Sequence, residues 1–350
     1  MTILLTGTRA PATLDLARRL ERGGHRVVGA DSMRFPLGRW SKAFASHHFL
    51  PPPRQAPEAF LAALQGIIAS EKVELLWPTC EEVFHVARFH AVLSERCRLM
   101  CPPLETLRPL HHKLEFTGIV QAAGTRVQAP ASWPAEAAPP QERLVWKPCF
   151  SRFATRTRFD SPPVDCAGWM AQQFIAGGEF CSWACCQDGV IRMMSMYENQ
   201  ARAGRGAGCS FSPYWSEEAA AFVVQLAERT AFTGVLAFDF IRTVDGQVFV
   251  LECNPRMTSG IHVLAEELEL VSLLAQGSAE RPAMQPAQLA LPVLFSKPSQ
   301  LGRAPDVIWR SGDPAPFWTQ FLCAGEFVLR ALRSRISLLA ATTADIEYNG

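Results

Sequence analysis

The sequence predicts an α/β protein made of two or three compact units, and three observations carry that expectation. The chain has 350 residues, more than one ordinary core accommodates. Its opening stretch alternates apolar strands with helical patterns, the βαβ rhythm that builds a parallel sheet. Further on, residues 234 to 262, GVLAFDFIRTVDGQVFVLECNPRMTSGIH, read as two apolar strands around an Asp-Gly turn, an antiparallel hairpin.

Composition narrows the class. Hydrophobic residues make up 48% of the chain and charged ones 19%, enough to bury a substantial core. Lys plus Arg number 34 against 33 Asp plus Glu, so no basic field for nucleic acid is expected. The start, MTILLTGTRAP, reads as a strand and turn rather than a signal peptide, so the eleven cysteines are expected to be reduced, in the cytoplasm. Cys97 with Cys101, and the group Cys181, Cys185 and Cys186, contain no C-x-x-C pair, which argues against zinc. No apolar run approaches the roughly 20 residues of a membrane span, so a soluble protein is expected.

Taken in order, residues 2–31 read as strand (ILLTG), loop, helix (LDLARRLERGG) and strand (HRVVGAD), a Rossmann-like layer. The loop Thr6-Gly7-Thr8-Arg9-Ala10-Pro11 has one glycine where a dinucleotide fingerprint needs three, which argues against a nicotinamide oxidoreductase and leaves Asp31 as a strand end. A Pro-rich patch, FLPPPRQAP, precedes a helix (AFLAALQGIIASE) and a strand (VELLWPTC). Glu81 and Glu82 follow the C-terminal end of that strand, where ligands of open α/β sheets lie, but the preferred reading is the exposed, acidic start of a helix. The strand RLMCPP closes this unit near Leu104.

From Thr106 one helix is expected through HHKLEFTGIVQAAG to Gly124, then a Pro/Ala-rich loop and the strand RLVWKPCF. Lys147 at the end of that strand either covers a phosphate or is an ordinary lysine at a loop entrance. The strand in MAQQFIAGGEF gives way to a glycine turn and Glu179, a form that can offer edge amides to a purine and a carboxylate to a ribose. Strands CSWACCQDG and VIRMMSMYEN follow. The segment ARAGRGAGCSFSP reads as a mobile loop, either closing over phosphates through Arg202 and Arg205 or simply a surface loop. Helix SEEAAAFVVQLAERTAF leads into the hairpin. Beyond His262 come a helix, VLAEELELVSLLAQG, and a last unit with a strand (VLFSKP), a turn (SGDPAP) and a helix (FLCAGEFVLRALRS) whose aromatic residues read as packing. The closing TTADIEYNG suggests no purpose.

The hairpin carries the chemistry. Asp239 stands in its first strand and Glu252 in its second, with Asn254 on the same face of the pleat as Glu252. Acids in so apolar a setting are costly unless a cation lies between them, and magnesium favours one or two carboxylates plus nucleotide phosphates. The competing reading has Asp239 ending a strand, Glu252 paired with Arg256, and nothing bound.

The order of these elements over residues 106–265 resembles the ATP-grasp superfamily, within it the carbamoyl-phosphate-synthase-like and carboxylate–amine ligase branch. That resemblance implies a Rossmann-like domain over 1–105, a two-subdomain ATP-grasp unit over 106–285, and a C-terminal extension over 286–350. It makes Lys113 the first phosphate lysine, with His112 where the family usually has an acid, and Lys147 the second. Gln172, Gln173 and Ile175 match the hinge that reads adenine, and Glu179 the acid that binds the ribose. Asp239, Glu252 and Asn254 match the magnesium ligands, and Arg256 a residue near the transferring phosphoryl group, so Arg256 and Lys147 become the catalytic candidates. Ser259 and His262 are candidates for the substrate side. One departure stands out: CFSRFATRTRF, after Lys147, has none of the family's usual glycines, which leaves backbone amides of small residues to reach phosphate, with Arg152 or Arg156 adding charge. The implied activity is ATP- and Mg2+-dependent joining of a carboxylate to an amine, with Mn2+ as a substitute ion and a homodimer compatible. A non-catalytic ATP-binding module is the rival reading.

Overall fold

The computed structural model describes residues 1–140, 143–152, 154, 156–159, 161–204, 206–265 and 281–350. Strands β1 (Thr2–Thr6), β2 (Arg26–Asp31), β3 (Ser46–Phe49), β4 (Leu75–Trp77) and β5 (Arg98–Leu99) form a parallel sheet in the order β3-β2-β1-β4-β5. Such sheets are covered on both faces, and Ile3, Leu4 and Leu5 are accordingly all fully buried. Helices α1 (Pro11–Arg22) and α2 (Pro57–Glu71) connect its strands, each opening on a proline that needs no intrahelical donor. Two short helices, α3 (Val83–Arg88) and α4 (His90–Ser94), follow β4.

Glu81 and Glu82, expected at an exposed helix start, are instead each only 2% exposed. The chain leaves β4 inward, across the carboxyl ends of the strands. Glu82 Oε1 accepts the Thr6 hydroxyl at 2.7 Å and the Thr79 and Cys80 amides at 3.1 Å, so it ties β1 to the loop after β4. Asp31 ends β2, as expected, and its carboxylate receives the Arg9 guanidinium at 2.6 Å.

The single helix expected from Thr106 to Gly124 is two, α5 (Leu104–His111) and α6 (Lys113–Ala123), broken at His112. His112 is extended (φ −74°, ψ 105°) and its Nδ1 accepts the Glu115 amide at 3.2 Å, a histidine in the N-cap role. The break makes Lys113 the first residue of a helix. Gly124 ends α6 at φ 62°, a left-handed conformation that glycine adopts without strain.

Strands β6 (Ser132–Pro134), β7 (Leu144–Pro148) and β8 (Trp169–Gln173) make a small antiparallel sheet in the order β6-β8-β7. Strands β9 (Gly178–Gln187), β10 (Val190–Ala203), β11 (Ala207–Tyr214), β12 (Gly234–Arg242), β13 (Val248–Asn254) and β14 (Ala287–Gln288) make a larger one in the order β13-β12-β9-β10-β11-β14. Helix α7 (Glu217–Arg229) covers it, with the Phe222 and Phe238 rings 5.4 Å apart.

Two further expectations are corrected. The supposed mobile loop around Arg202 is a β-hairpin in which Arg202 faces Gly208 and Ala203 faces Ala207. Ala201, Cys209 and Phe211 are buried within it, an apolar side that the glycines and arginines masked in the sequence. Arg205 lies outside the described residues, as does most of the helix expected after His262. The VLFSKP segment lies largely in a helix, Ala290–Ser296, whose first amide is capped by Asp306 Oδ1 at 2.8 Å; so short an apolar run does not distinguish strand from helix by itself. Among the described residues no helix is long and apolar enough to cross a membrane.

The C-terminal stretch returns to the first sheet. Arg9 donates to Asp345 at 2.6 Å, and the Tyr348 ring stacks on Phe84 with centroids 5.0 Å apart.

Directly after β13 the chain turns through Ser259–Val263, and Gly260 packs against the large sheet. A Cβ there would lie 2.2 Å from Trp183 Cβ and 3.0 Å from Ser195 Oγ, and Trp183 is fully buried. Gly260→Ala is therefore expected to lower stability by about 1–3 kcal/mol through overpacking. Urea unfolding reads this directly, and an unchanged midpoint contradicts the packing described.

Candidate active site

The register of β12 on β13 sets Asp239 directly opposite Glu252, with an irregularity just after Asp239. Asn254, two residues beyond Glu252, donates its amide to Asp239 Oδ2 at 3.4 Å. Both carboxylates are half-buried on one face of the sheet. Burial, and then the neighbouring Glu252, push the Asp239 carboxyl up to about 7. Burial also acts to raise Glu252, but Lys113 and then Lys147 outweigh it and hold that group at about 2. The pair is short of positive charge, and two facing carboxylates are a donor set that fits a hard divalent cation; the neighbouring Asn254 amide turns its nitrogen to Asp239 and its oxygen to Arg256. Among the described residues no group of three or more His, Cys, Asp or Glu is placed to hold a metal ion.

The lysines arrive from the other layers. The break at His112 aims Lys113 at the hairpin, where its Nζ lies 3.1 Å from Glu252 Oε2 and donates to the Ser151 carbonyl at 3.0 Å. The Lys113 amide binds the Cys149 carbonyl at 3.0 Å, fixing α6 to the loop after β7. Lys147 lies on β7 and donates to Gln172 Oε1 at 2.8 Å. Burial lowers its pKa, and Glu252 opposes that effect. Lys113, Lys147, Asp239, Glu252 and Asn254 are thus brought together from four elements, α6, β7 and the hairpin strands β12 and β13.

The expected hinge is arranged less simply. Gln172 is 2% exposed and spends its side chain on Lys147 and on Ser132 Oγ, at 3.3 Å. The Gln173 and Phe174 amides already bind the Ala131 and Arg143 carbonyls, at 2.8 and 2.9 Å. Ile175 is half-buried in the turn before β9, and Glu179, exposed at the start of β9, forms an ion pair with Arg202.

A second cluster joins the hairpin to the first sheet. Arg256 donates from Nε to Glu81 Oε1 at 2.6 Å and from Nη2 to Asn254 Oδ1 at 3.2 Å. Arg152, from the glycine-free loop, reaches Glu81 Oε2 at 3.3 Å. Burial works to raise the Glu81 carboxyl, yet Arg256 and Arg152 bring it down to about 2. Glu252 therefore does not pair with Arg256, as the competing reading required. Arg152 also pairs with Glu347 and donates to the Tyr348 carbonyl at 3.0 Å, so the C-terminal stretch reaches this cluster. Arg156 instead lies 5.1 Å over the Trp169 ring. His262 is buried away from the hairpin with its Nδ1 2.8 Å from Asp15 of α1, a packing role rather than a base for substrate. Ser259 is half-buried in the same turn.

No protein-family model and no curated protein sequence matches the chain. Solved structures do. An L-amino acid ligase from Bacillus licheniformis superposes with a TM-score of 0.59 at 17% identity, over 81% of this chain and 75% of that one. A biotin carboxylase from Campylobacter jejuni gives 0.62 at 13% identity, over 81% and 73%. An N5-carboxyaminoimidazole synthetase from Staphylococcus aureus gives 0.60 at 14% identity, over 81% and 80%. The chain has the ATP-grasp fold.

Within that ATP-grasp fold, sequence reasoning misjudged Glu81 and missed the C-terminal contacts. The signal for Glu81 was its place at the carboxyl end of a parallel strand, where open α/β sheets keep their sites, and the exposed helix start was preferred to it. Tyr348 and Glu347 carry no such signal, since their partners are remote in sequence.

Glu81 is expected to contribute stability that depends on pH. Its folded pKa lies below the ordinary glutamate value of 4.5, so the contribution is fully present above 4.5 and is lost as pH falls towards about 2. Glu81→Gln is expected to cost about 2–4 kcal/mol at neutral pH, because two arginines lose their buried counter-charge. Denaturant titrations at successive pH values should show the gap between wild type and variant closing below 4.5. A gap that is constant with pH contradicts the charge assignment.

Proposed function

We propose that this chain is an ATP- and Mg2+-dependent ligase that activates a carboxylate as an acylphosphate and joins it to an amine. The observation that carries the reading is the hairpin pair Asp239 and Glu252, short of positive charge and facing Lys113 and Lys147. An acid pair holds a cation there, and the lysines, released from Glu252 and Gln172, neutralise phosphate oxygens. Among proteins of this fold, a 2-oxoglutarate carboxylase domain from Hydrogenobacter thermophilus has been solved with MgADP, at 12% identity and a TM-score of 0.58. In this reading Asp239, Glu252 and Asn254 would hold the magnesium, or Mn2+ in its place, and the metal would supply neutralisation of phosphate charge.

The chain's own residues would do the rest. Gln173 and Ile175 line the adenine, and Glu179 binds the ribose once it leaves Arg202. The carboxylate oxygen attacks the γ-phosphorus and ADP departs; the amine then attacks the acyl carbon and phosphate departs. Arg256, held by Glu81, steadies the charge that develops on the transferring group, and the lysines orient it. The eleven free cysteines suit a reducing, cytoplasmic setting. A domain division near residues 105 and 285 accords with this reading.

A second reading, nucleotide binding without turnover, draws on one specific observation. Arg152, in the loop that lacks glycine, is engaged by Glu81, Glu347 and the Tyr348 carbonyl. Turnover separates the two readings. Glu252→Gln keeps shape and removes one charge, so ADP release with a carboxylate and amine pair should fall by about 10²–10³, the scale of losing one preorganised electrostatic group. Near-normal release in the variant would remove the hairpin from the reaction. Mg-ATP binding by the wild type without ADP release, across a panel of carboxylates and amines, would favour the binding module.

A further inference from the structure

Residues 342–350, TTADIEYNG, carry no motif, yet the structure fastens them to the loops of the first sheet and to the glycine-free loop. Asp345 receives the buried Arg9 guanidinium at 2.6 Å and pairs with Arg330. Ile346 is buried, and the Arg54 amide donates to the Asp345 carbonyl at 3.2 Å. The Tyr348 ring stacks on Phe84 and meets Phe150, of the glycine-free loop, edge-on with centroids 5.8 Å apart.

From this stretch an alternation of charge runs to the hairpin: Arg54, Glu347, Arg152, Glu81, Arg256. Each acid in it pairs with two arginines. Glu81 is buried, so its single charge is divided between Arg152 and Arg256 with little help from solvent. The division is unequal. Arg256 Nε lies 2.6 Å from Glu81 Oε1, whereas Arg152 Nη2 stands 3.3 Å from Glu81 Oε2. Arg152 is drawn the other way by the Glu347 carboxylate, by the Tyr348 carbonyl at 3.0 Å and by Asn349 Oδ1 at 3.2 Å.

We propose that Glu347 is a positioning residue for Arg256. By holding Arg152 back, Glu347 leaves the Glu81 carboxylate to Arg256, and residues 342–350 thereby complete the site of the ligase proposed above, a role that rests on that reading. Without the Glu347 charge, Arg152 turns to Glu81, the acid it already touches, and Arg256 loses its share of one buried charge. Its guanidinium then also loses alignment with Asn254 Oδ1, which now lies 3.2 Å from Arg256 Nη2. The lysines and the hairpin acids stay where they are. The loss therefore falls on the charge that develops during transfer and not on nucleotide binding.

Glu347→Gln keeps size and hydrogen bonding and removes the charge. In ADP release with a carboxylate and amine pair, kcat should fall roughly ten- to a hundredfold, the scale of a small misplacement, with KM for Mg-ATP unchanged within about twofold. The same substitution added to Arg256→Lys should cost no further rate, because the residue it positions is already altered. A loss that multiplies in that background marks a merely structural role and overturns the inference. An unchanged kcat also overturns it, as does a faster kcat or a lower KM for Mg-ATP, the result of a stretch that only keeps Arg152 from phosphate. Urea unfolding tests the relay without turnover: Arg256→Gln, Glu347→Gln and the two together should give midpoint losses that are less than additive, as members of one ion-pair network do. Additive losses overturn the relay. Losses that are less than additive support the positioning of Arg256 even where wild type releases no ADP, an outcome that removes the ligase reading alone.

Discussion

The constraint on which the site depends is the excess of negative charge on one hairpin face. Asp239 and Glu252 are neighbours by register, and neither can be turned to the other side without slipping the whole of β12 on β13 and exposing Phe238 and Phe240. The fold answers the charge with Lys113 on α6 and Lys147 on β7. The break at His112 makes Lys113 the first residue of α6, from which it reaches Glu252. Among the described residues Lys113 makes a close ion pair with Glu252, whereas burial and Glu252 raise Asp239, a deficit of positive charge that a divalent cation would supply.

Glu81 plays the complementary part on the opposite wall. It projects from the carboxyl edge of the parallel sheet, where loops of such sheets converge, and holds one arginine from β13's end and one from the glycine-free loop. The parallel sheet thereby contributes a charge to the candidate site, not merely scaffold. Arg152, tied also to Glu347 and Tyr348, extends the chain of contacts to the C-terminal stretch. Glu81 thus acts as the buried counter-charge that keeps Arg256 in place beside Asn254.

Much of the fold was legible because its strands and helices are strongly patterned. β1, α1 and β2 followed from apolar spacing and a glycine stop, and the Asp-Gly turn marked the β12–β13 hairpin. The hairpin acids were legible for the same reason, since polar residues in an apolar strand stand out. What failed was tertiary or ambiguous. Glycines and arginines around Arg202 hid a paired strand whose burial depends on the neighbouring sheet. The helix at Ala290–Ser296 is set by a cap from Asp306, sixteen residues away, and His112 breaks a helix by side-chain capping that periodicity does not register. Burial of Glu81 depended on its arginine partners, one of them 175 residues further along the chain.

Manganese offers the most direct measurement of the central claim, that the two hairpin acids hold the metal that accompanies ATP. Electron paramagnetic resonance counts free Mn2+ in mixtures of protein, ATP and metal. The account predicts that wild type draws one Mn2+ per chain out of solution with ATP, and that a double Asp239→Asn, Glu252→Gln variant, folded by circular dichroism, draws out none beyond that bound by ATP alone. Equal sequestration by wild type and double variant would contradict it.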